Sequence, residues 1–213
     1  LGSDHHGYIN RLKASLEILG QDKDKLDIKI LQMVRLIKDG EELKLSKRTG
    51  KTITLNDLIS EVGVNATRYF FSSHSLDAQM DFDLDLAMKQ SSDNPVYYIE
   101  YANARISSIL KHYPEINSVD KFTTINDQQS FDILNKLYEF EDTVLLAAIK
   151  KQPHIIANYA YNLATLFHSY YTKEKIITDN IEYTNERILL IKAIKTVLVN
   201  SLDLIGIIPR EEM

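Results

Sequence analysis

The sequence predicts a mainly α-helical protein, in which a short mixed α/β segment precedes a bundle of long helices. From residue 94 onward, apolar residues recur at intervals of three and four, the spacing of a helix with one buried face. Before residue 75, the one confident strand is an apolar, β-branched stretch over residues 28–37. The change falls between about residues 75 and 94, and we place the boundary between the two predicted domains at residue 80.

The first segment opens with a glycine-containing turn over residues 2–6, which leads into a helix. Apolar side chains at helical spacing predict this helix over residues 7–19. Gly20 is suited to end it, because glycine readily adopts the left-handed conformation found after helices. The strand over residues 28–37 follows, and its apolar, β-branched composition predicts that it is buried.

A hairpin and two short helices complete this segment. The Asp-Gly pair at 39–40 favours a two-residue turn, which returns the chain through residues 41–45. Thr54 is suited to cap a short helix over residues 55–62, because its hydroxyl can accept a hydrogen bond from the first helical turn. Asn65 is suited to cap a further helix that runs to about Phe71.

The remainder of the chain is predicted to be a helical bundle. Its helices carry apolar stripes and are joined by short links, which is typical of this architecture. Asn94-Pro95 predicts the start of the first helix, because Asn is a good cap and Pro suits the first helical position. Residues 115–129 are polar and without a pattern, so we predict a loop there. The four long helices are predicted over residues 95–113, 131–151, 153–171 and 186–205.

The composition is that of a globular protein and excludes several kinds of site. The 213 residues are 44% hydrophobic and 26% charged, and none is a cysteine, which excludes disulfides and thiolate metal sites. A reducing compartment is compatible with this. The net charge of −5 means that a nucleic-acid partner would have to be bound by local basic patches. No apolar run reaches the ~18 residues that span a bilayer, and the polar opening residues are not a signal peptide.

A lysine-rich segment between Gly40 and Gly50 is the first candidate site. It contains Lys44, Ser46 and Lys47, a spacing close to the KMSKS signature of class I aminoacyl-tRNA synthetases. Flexible ammonium groups three residues apart can reach phosphate oxygens, and so could neutralise the pyrophosphate that leaves ATP when a carboxylate is adenylated. The alternative is a solvated hairpin that is merely rich in lysine.

The opening Gly2-Ser3-Asp4-His5-His6 is a second candidate. In a nucleoside pocket, Gly2 would allow the backbone to approach closely and Asp4 could accept hydrogen bonds from ribose hydroxyls. A structural turn is the first alternative. A metal site is the second, although adjacent residues rarely point at one ion. We favour the nucleoside pocket.

Asp81, Asp83 and Asp85 alternate in a way that suggests a calcium loop. An EF-hand requires glycine at its sixth position and a carboxylate at its twelfth. Those positions hold Leu86 and Ser92, so the pattern does not match. We interpret the three carboxylates as helix-start acids and solvated charges.

Two groups of side chains on or just after the predicted helices are suited to bind RNA. Tyr101 and Arg105 are one helical turn apart, so an aromatic ring and a guanidinium could contact one unpaired base together. Tyr171 comes at the end of a helix, shortly before Lys173 and Lys175, which would place a stacking surface beside cations. The alternative is that tyrosines at helical spacing belong to the core.

Together these motifs resemble the carboxyl-terminal half of the arginyl-tRNA synthetases, a family of class I aminoacyl-tRNA synthetases. The resemblance runs from residue 1 to the last residue, and the ordered set is more specific than any single motif. Leu45 replaces the usual Met of the lysine signature, and Arg48 replaces a common Ser, as it often does in arginyl enzymes. The motifs lie at residues 2–9, 32–34, 40–50, 61–63, 68–71, 81–87, 94–106 and 206–213.

The resemblance implies the fold and its division into domains. Residues 1–80 would be the carboxyl-terminal part of a class I Rossmann-type catalytic domain, and residues 81–213 an all-α anticodon-binding helical bundle of the DALR type. The sequence contains no His-x-Gly-His, the other class I signature, and it begins without Met. We therefore expect it to start partway through a domain, to lack the arginine pocket and to be inactive by itself.

The resemblance also implies a function, that of an arginine–tRNA ligase. Such an enzyme joins L-arginine to tRNA(Arg) through arginyl-adenylate, using ATP whose Mg²⁺ is carried by the nucleotide. Lys44 and Lys47 would be catalytic and close over the triphosphate. The resemblance also implies that the protein is monomeric and cytoplasmic. It further implies that the protein binds neither a membrane nor DNA and has no metal site of its own. The implied nucleotide-binding residues are Gly2, Asp4, His5, Met33 and Ser46, and the implied anticodon-binding residues are Tyr101, Arg105, Tyr171 and Met213.

Two residues depart from the family pattern. Asn103 replaces a common His, and Glu100 replaces a common Gln, so that we expect a negative charge near the RNA-binding face. The alternative function is a non-catalytic helical module that binds tRNA or another RNA and keeps vestigial synthetase motifs. Both functions predict tRNA binding, but only the ligase predicts that the gene encodes a preceding nucleotide-binding half.

Overall fold

The computed structural model describes residues 1–43, 53–113, 119 and 121–213, and it confirms the mainly helical class. Its residues form two compact units. The first comprises the described residues of Leu1–Thr52 and His74–Asp85, and the second those of Ile53–Ser73 and Leu86–Met213. These units are defined by packing, so the domain boundary at residue 80 stays a prediction. Among the described residues, no helix is both long and apolar enough to cross a membrane.

The first unit contains helix α1 (Tyr8–Ile18) and a three-stranded sheet with the order β2-β1-β3. Strand β1 (Val34–Lys38) pairs in parallel with β3 (Met80–Asp83) and antiparallel with the short β2 (Glu41–Glu42). Strand β3 was not predicted from the sequence, because its alternating carboxylates do not have the composition of a strand.

The predicted strand over residues 28–37 is too long at its beginning. Residue Leu31 forms an isolated bridge with Gly2, and its amide donates to the Leu1 carbonyl at 2.7 Å. The next amide, that of Gln32, donates to the Leu76 carbonyl at 3.0 Å. Because these amides have partners outside the sheet, the regular ladder begins only at Val34.

The predicted hairpin turn is confirmed. Asp39 and Gly40 have φ values of 54° and 75°, the conformation that a two-residue turn between antiparallel strands requires. The Asp39 amide also donates to the Asp85 carboxylate at 2.6 Å. A second predicted carboxylate, Asp81, forms two hydrogen bonds of 2.7 Å with the Arg35 guanidinium across β1 and β3. The predicted solvated charges therefore hold parts of this sheet together.

The second unit begins with helices α2 (Leu55–Val62) and α3 (Val64–Ser72), which meet at Gly63. Thr54 caps α2 as predicted, and its hydroxyl accepts a hydrogen bond from the Asp57 amide at 3.2 Å. The predicted cap at Asn65 is wrong, because α3 begins one residue earlier and the Asn65 side chain bonds elsewhere in the unit.

The long helices follow, with two corrections. The predicted helix over residues 131–151 is divided into two helices at Glu139, which ends the first and precedes the second. The last helix begins at Ile181 rather than at residue 186, because the Asn180 side chain caps it by accepting from the Tyr183 amide at 3.1 Å. The helices are α4 (Leu84–Met88), α5 (Pro95–His112), α6 (Gln128–Tyr138), α7 (Phe140–Lys150), α8 (His154–Lys173) and α9 (Ile181–Leu204).

Helix α8 is the centre of the bundle and packs against α5, α6, α7 and α9. The side chains between these helices are removed from solvent, which is the main source of stability in such a core. Fully buried members are Ile99 and Ile106 of α5, Leu163 and Phe167 of α8, and Ile188, Ile194 and Leu198 of α9.

A carboxylate organises the segment that precedes α6. The Glu186 side chain is fully buried and accepts hydrogen bonds from the amides of Thr123, Thr124 and Ile125, at 2.6, 2.9 and 3.0 Å. Burial by itself would raise the pKa of this carboxyl, but the hydrogen bonds from Thr123 and Thr124 outweigh burial and lower the pKa to about 2. Part of the predicted loop over residues 115–129 is therefore fixed to α9.

Candidate functional site

An arginine between two tyrosine rings forms the centre of the site. The Arg105 guanidinium carbon lies 4.8 Å from the ring centroid of Tyr101 and 4.6 Å from that of Tyr171. An N–H group of Arg105 also donates to the Tyr101 hydroxyl. Tyr101 and Arg105 are adjacent because they are one turn apart on α5, and Tyr171 reaches them from the end of α8, which packs beside α5.

Behind these rings lies a stack of aromatic side chains. The Tyr101 ring is nearly parallel to those of Tyr97 and His168, with centroid distances of 6.3 and 5.7 Å. Nε2 of His168 donates to the Tyr98 carbonyl at 3.0 Å. Burial, and to a lesser extent the Arg105 charge, lower the pKa of His168, so the ring is neutral near pH 7 and can pack against Tyr101.

Our sequence analysis missed His168. Its signal was its position three residues before Tyr171 on the same helix, which places both side chains on one face of α8. A lone histidine on a partly apolar helix does not indicate a role by itself. The role of His168 becomes visible only when α8 is packed against α5, where the histidine contacts Tyr98 and Tyr101.

These side chains line a cavity of about 520 Å³, which we call the α5–α8 cavity. Its wall includes Tyr101, Arg105, Tyr171 and Met213, the four residues for which the resemblance implied RNA binding. Met213, the last residue of the chain, lines the cavity and is 48% exposed. An aromatic and guanidinium wall with a thioether beside it is suited to hold a flat, unpaired base.

The edge of the α5–α8 cavity carries charges of both signs. Lys111 of α5 forms an ion pair with Glu212, and Lys195 of α9 forms one with Glu211 at 2.9 Å. Both glutamates also line the cavity. Because these pairs are solvent-exposed, an RNA phosphate can compete with the carboxylates for the lysines.

A second cavity, of about 460 Å³, is also lined by Tyr171. The two cavities share Ile109 and Tyr171, and the second also includes Lys173 and Lys175. The two predicted groups of RNA-binding side chains are Tyr101 with Arg105, and Tyr171 with Lys173 and Lys175. They line two cavities that share Tyr171.

Glu100 is not placed as the sequence led us to expect. It precedes Tyr101 on α5, but its side chain is 4% exposed and faces Asn65 and Arg210. It lines a third cavity, of about 250 Å³, rather than the α5–α8 cavity. The expected negative charge therefore does not line the α5–α8 cavity, because the Glu100 side chain faces Asn65 and Arg210 instead.

The predicted nucleotide-binding residues lie in the first unit. Gly2 and Asp4 are in contact, since a β-carbon on Gly2 would lie 2.7 Å from an Asp4 carboxylate oxygen. Nε2 of His5 lies 3.6 Å from a carboxylate oxygen of Asp4, and both side chains are exposed. Met33 is 71% exposed and lies two residues after Leu31, the bridge partner of Gly2.

The remaining predicted site residues, Lys44, Ser46 and Lys47, lie outside the described part of the chain. Among the described residues, no group of three or more His, Cys, Asp and Glu side chains is arranged to hold a metal ion.

Comparisons with known proteins point to one family. Residues 99–213 match the family model of the DALR anticodon binding domain. The chain is 49% identical over 217 residues to an arginine–tRNA ligase of Staphylococcus epidermidis, and 48% identical over 216 residues to that of Staphylococcus aureus. Each alignment covers 100% of this chain and 39% of the relative. The chain thus spans about two fifths of the length of these curated relatives.

Solved structures with the same fold carry similar names. A Campylobacter jejuni protein assigned as an arginyl-tRNA synthetase superposes with a TM-score of 0.89 at 33% identity, covering 100% of this chain and 47% of that one. The Thermus thermophilus arginyl-tRNA synthetase gives a TM-score of 0.76 at 23% identity, covering 94% of this chain and 38% of that one. The second likeness is one of fold.

Proposed function

Because this chain belongs to the DALR anticodon-binding domain family, we propose that it binds the anticodon loop of tRNA(Arg) as the carboxyl-terminal part of an arginine–tRNA ligase. The observation that carries the proposal is the convergence of Tyr101, Arg105, Tyr171 and Met213 on the α5–α8 cavity. These residues come from two helices and the chain end, and they are the four that the resemblance singled out.

The α5–α8 cavity would bind an anticodon nucleotide by stacking. An unpaired base would stack on the Tyr171 ring, because the Tyr101 ring is already covered by Arg105, Tyr97 and His168. The Arg105 guanidinium, which contacts both tyrosine rings, would donate to the edge of the base. Stacking of one base on an aromatic side chain contributes about 1–3 kcal/mol. Because the arginine is held in place before RNA arrives, little rotamer entropy is lost on binding.

The first unit would contribute to the reaction with ATP. Gly2, Asp4, His5 and Met33 fit a nucleoside, since the Asp4 carboxylate is 78% exposed and able to accept from ribose hydroxyls. Met33 is similarly open for backbone contact to adenine. When bound, ATP supplies the adenylyl group that activates the carboxylate of L-arginine.

Lys44 and Lys47, with Ser46, would neutralise the departing pyrophosphate. The Mg²⁺ would arrive with the nucleotide, and we propose that the protein acts as a cytoplasmic monomer.

A binding assay tests the proposal. We would measure the affinity of the 213-residue chain for a labelled anticodon stem–loop of tRNA(Arg), and for the same stem–loop with its anticodon replaced. We expect preference for the native anticodon, and a loss of that affinity in Tyr101→Ala and Tyr171→Ala.

The matched controls are Lys44→Ala and Lys47→Ala, which should bind the stem–loop as the unchanged chain does. Equal losses in the lysine variants and the tyrosine variants would show that binding is general electrostatic attraction, and would overturn the proposal.

A further inference from the structure

We propose that Asn65, Glu100 and Asn103 form a clasp that positions the carboxyl-terminal tail, residues 205–213, so that Met213 completes the α5–α8 cavity. None of the three lines that cavity. They would therefore be positioning residues that act on RNA binding through the tail. This inference rests on the proposed function, because it concerns how that same site is assembled.

The tail turns sharply as it leaves α9. Gly206 has a φ of +73°, a conformation that other residues rarely adopt, and a β-carbon there would lie 2.8 Å from the guanidinium carbon of Arg68. The next residue, Ile207, is fully buried. This turn directs the chain back over α3, where the clasp residue Asn65 is located.

Asn65 connects the tail to Glu100. Its side-chain nitrogen donates to the Ile208 carbonyl at 2.8 Å and to a Glu100 carboxylate oxygen at 2.6 Å. An amide has two such hydrogens, so both are used. The other oxygen of Glu100 lies 3.5 Å from Nε of Arg210, which is itself part of the tail.

Asn103 holds the tail further along. Its side-chain nitrogen donates to the Arg210 carbonyl at 2.7 Å, and the residue is fully buried. Glu100 precedes Tyr101 on α5, and Asn103 lies between Tyr101 and Arg105, so one helix carries two of the clasp residues and two residues of the cavity wall. The position of the tail relative to the tyrosine rings is thereby fixed.

The exposed ion pairs of the tail would matter less than the clasp. Lys111–Glu212 and Lys195–Glu211 are formed by side chains that remain in water, so salt screens them and their net contribution is small. The Asn65–Glu100 and Asn103–Arg210 bonds are partly buried, whereas the Asn65–Ile208 bond is exposed. Removing Asn103 leaves a partly buried backbone carbonyl without its partner. We therefore expect the tail to stay in place at high salt and to be released by loss of the clasp.

Two measurements on the 213-residue chain test this inference. The first is the methyl NMR signal of Met213, with the methionines labelled at the methyl carbon. In the unchanged chain this signal should show ring-current shifts and contacts to the tyrosine rings. Asn103→Ala should move the chemical shift of the Met213 methyl group toward that of a methionine in an unfolded chain. Glu100→Gln, which keeps an acceptor for Asn65, should preserve it better than Glu100→Ala.

The second measurement is the affinity for the anticodon stem–loop. Asn103→Ala should weaken binding about threefold to tenfold, which is the range for loss of one contact. In a Met213→Ala background the same substitution should have little further effect. Asn65→Ala gives a second, less buried variant if Asn103→Ala does not fold.

Ser130→Ala is the matched control. Ser130 is also fully buried and hydrogen-bonded, but it lies on α6, so its loss should change stability without moving the Met213 signal or the affinity. The inference is overturned if clasp variants leave the Met213 signal unchanged, or if their effect persists in full in the Met213→Ala background. If the unchanged chain does not bind the stem–loop, the proposed function fails, while the NMR signal still decides whether the clasp places the tail.

Discussion

The Arg105 guanidinium is held 4.6 Å from the ring centroid of Tyr171, although the two residues belong to different helices. On its opposite side lies Tyr101, at 4.8 Å. A guanidinium is planar and stacks on aromatic rings, whereas an ammonium group is a point charge. This geometry therefore separates two contributions of Arg105, its charge and its shape.

Replacement of Arg105 tests which contribution matters. We expect Arg105→Lys to weaken stem–loop binding about tenfold, because the plane between the rings is lost, while the dependence of affinity on salt stays nearly unchanged. Arg105→Gln should weaken binding further and reduce the salt dependence by about one unit of slope. Binding titrations at several salt concentrations measure both the affinity and its dependence on salt. Lys150→Gln on α7, away from the cavity, is the charge-matched control, and equal affinity of Arg105→Lys and the unchanged chain would contradict the expectation.

The sequence predicted those parts of the site that depend on local spacing. Tyr101 and Arg105 share a flank of α5 because they are four residues apart, and this could be derived without any structure. Which rings lie across from them depends on how α8 packs. The places of Tyr171 and Met213 were therefore implied only by the resemblance, and His168 was missed.

The orientation of α5 explains the misplaced Glu100. Helical periodicity shows which residues share a face, but it does not show what that face meets when polar residues lie on both sides. Glu100 precedes Tyr101 by one residue, and packing against α3 and the tail turned it inward. The fold could be predicted where apolar residues recur at helical spacing over many residues. The prediction failed at β3 and at Glu139, where the local pattern is weak.

His168 should make stability depend on pH in the mildly acidic range. Burial lowers its pKa, so the folded state favours the neutral ring while the unfolded chain titrates at its ordinary value. The stability that depends on the neutral ring is complete above about pH 6.5 and is lost as pH falls through the lower, folded pKa. We expect the melting temperature to fall as the pH drops below about 6.5, and to fall less in His168→Gln, whose amide can still donate to the Tyr98 carbonyl. Equal pH dependence in both proteins would show that His168 is not the group responsible.

Glu186 should stabilise the second unit through the segment before α6. Glu186→Gln replaces one acceptor oxygen by a donor that faces the amides of Thr123 and Thr124, so we expect a loss of about 1–3 kcal/mol in the free energy of unfolding at pH 7. The pKa of this carboxyl is lowered to about 2, so its contribution is present above its unfolded value and disappears as pH falls toward 2. Denaturant titrations should show the difference between the two proteins shrinking below about pH 4.5.

The control for this prediction is Glu182→Gln. Glu182 also bonds the Thr123 hydroxyl, at 2.8 Å, but from an exposed position, so it should cost much less. A loss in Glu182→Gln equal to that in Glu186→Gln would assign the stability to the local charge rather than to the buried hydrogen bonds.

The final prediction concerns ATP. If this chain supplies only part of the ATP site, the 213 residues alone should not catalyse exchange between ATP and pyrophosphate, and detectable exchange would contradict that. In a full-length ligase that contains this sequence, Lys44→Ala and Lys47→Ala should each lower the rate of arginyl-adenylate formation, because each ammonium group would stabilise the charge that develops on the pyrophosphate. For the more important lysine, we expect the rate to fall by about 10²–10³. The stem–loop affinity of both variants should be unchanged, which separates this effect from the α5–α8 cavity. A double alanine variant that still charges tRNA(Arg) at the full rate would remove these lysines from the mechanism.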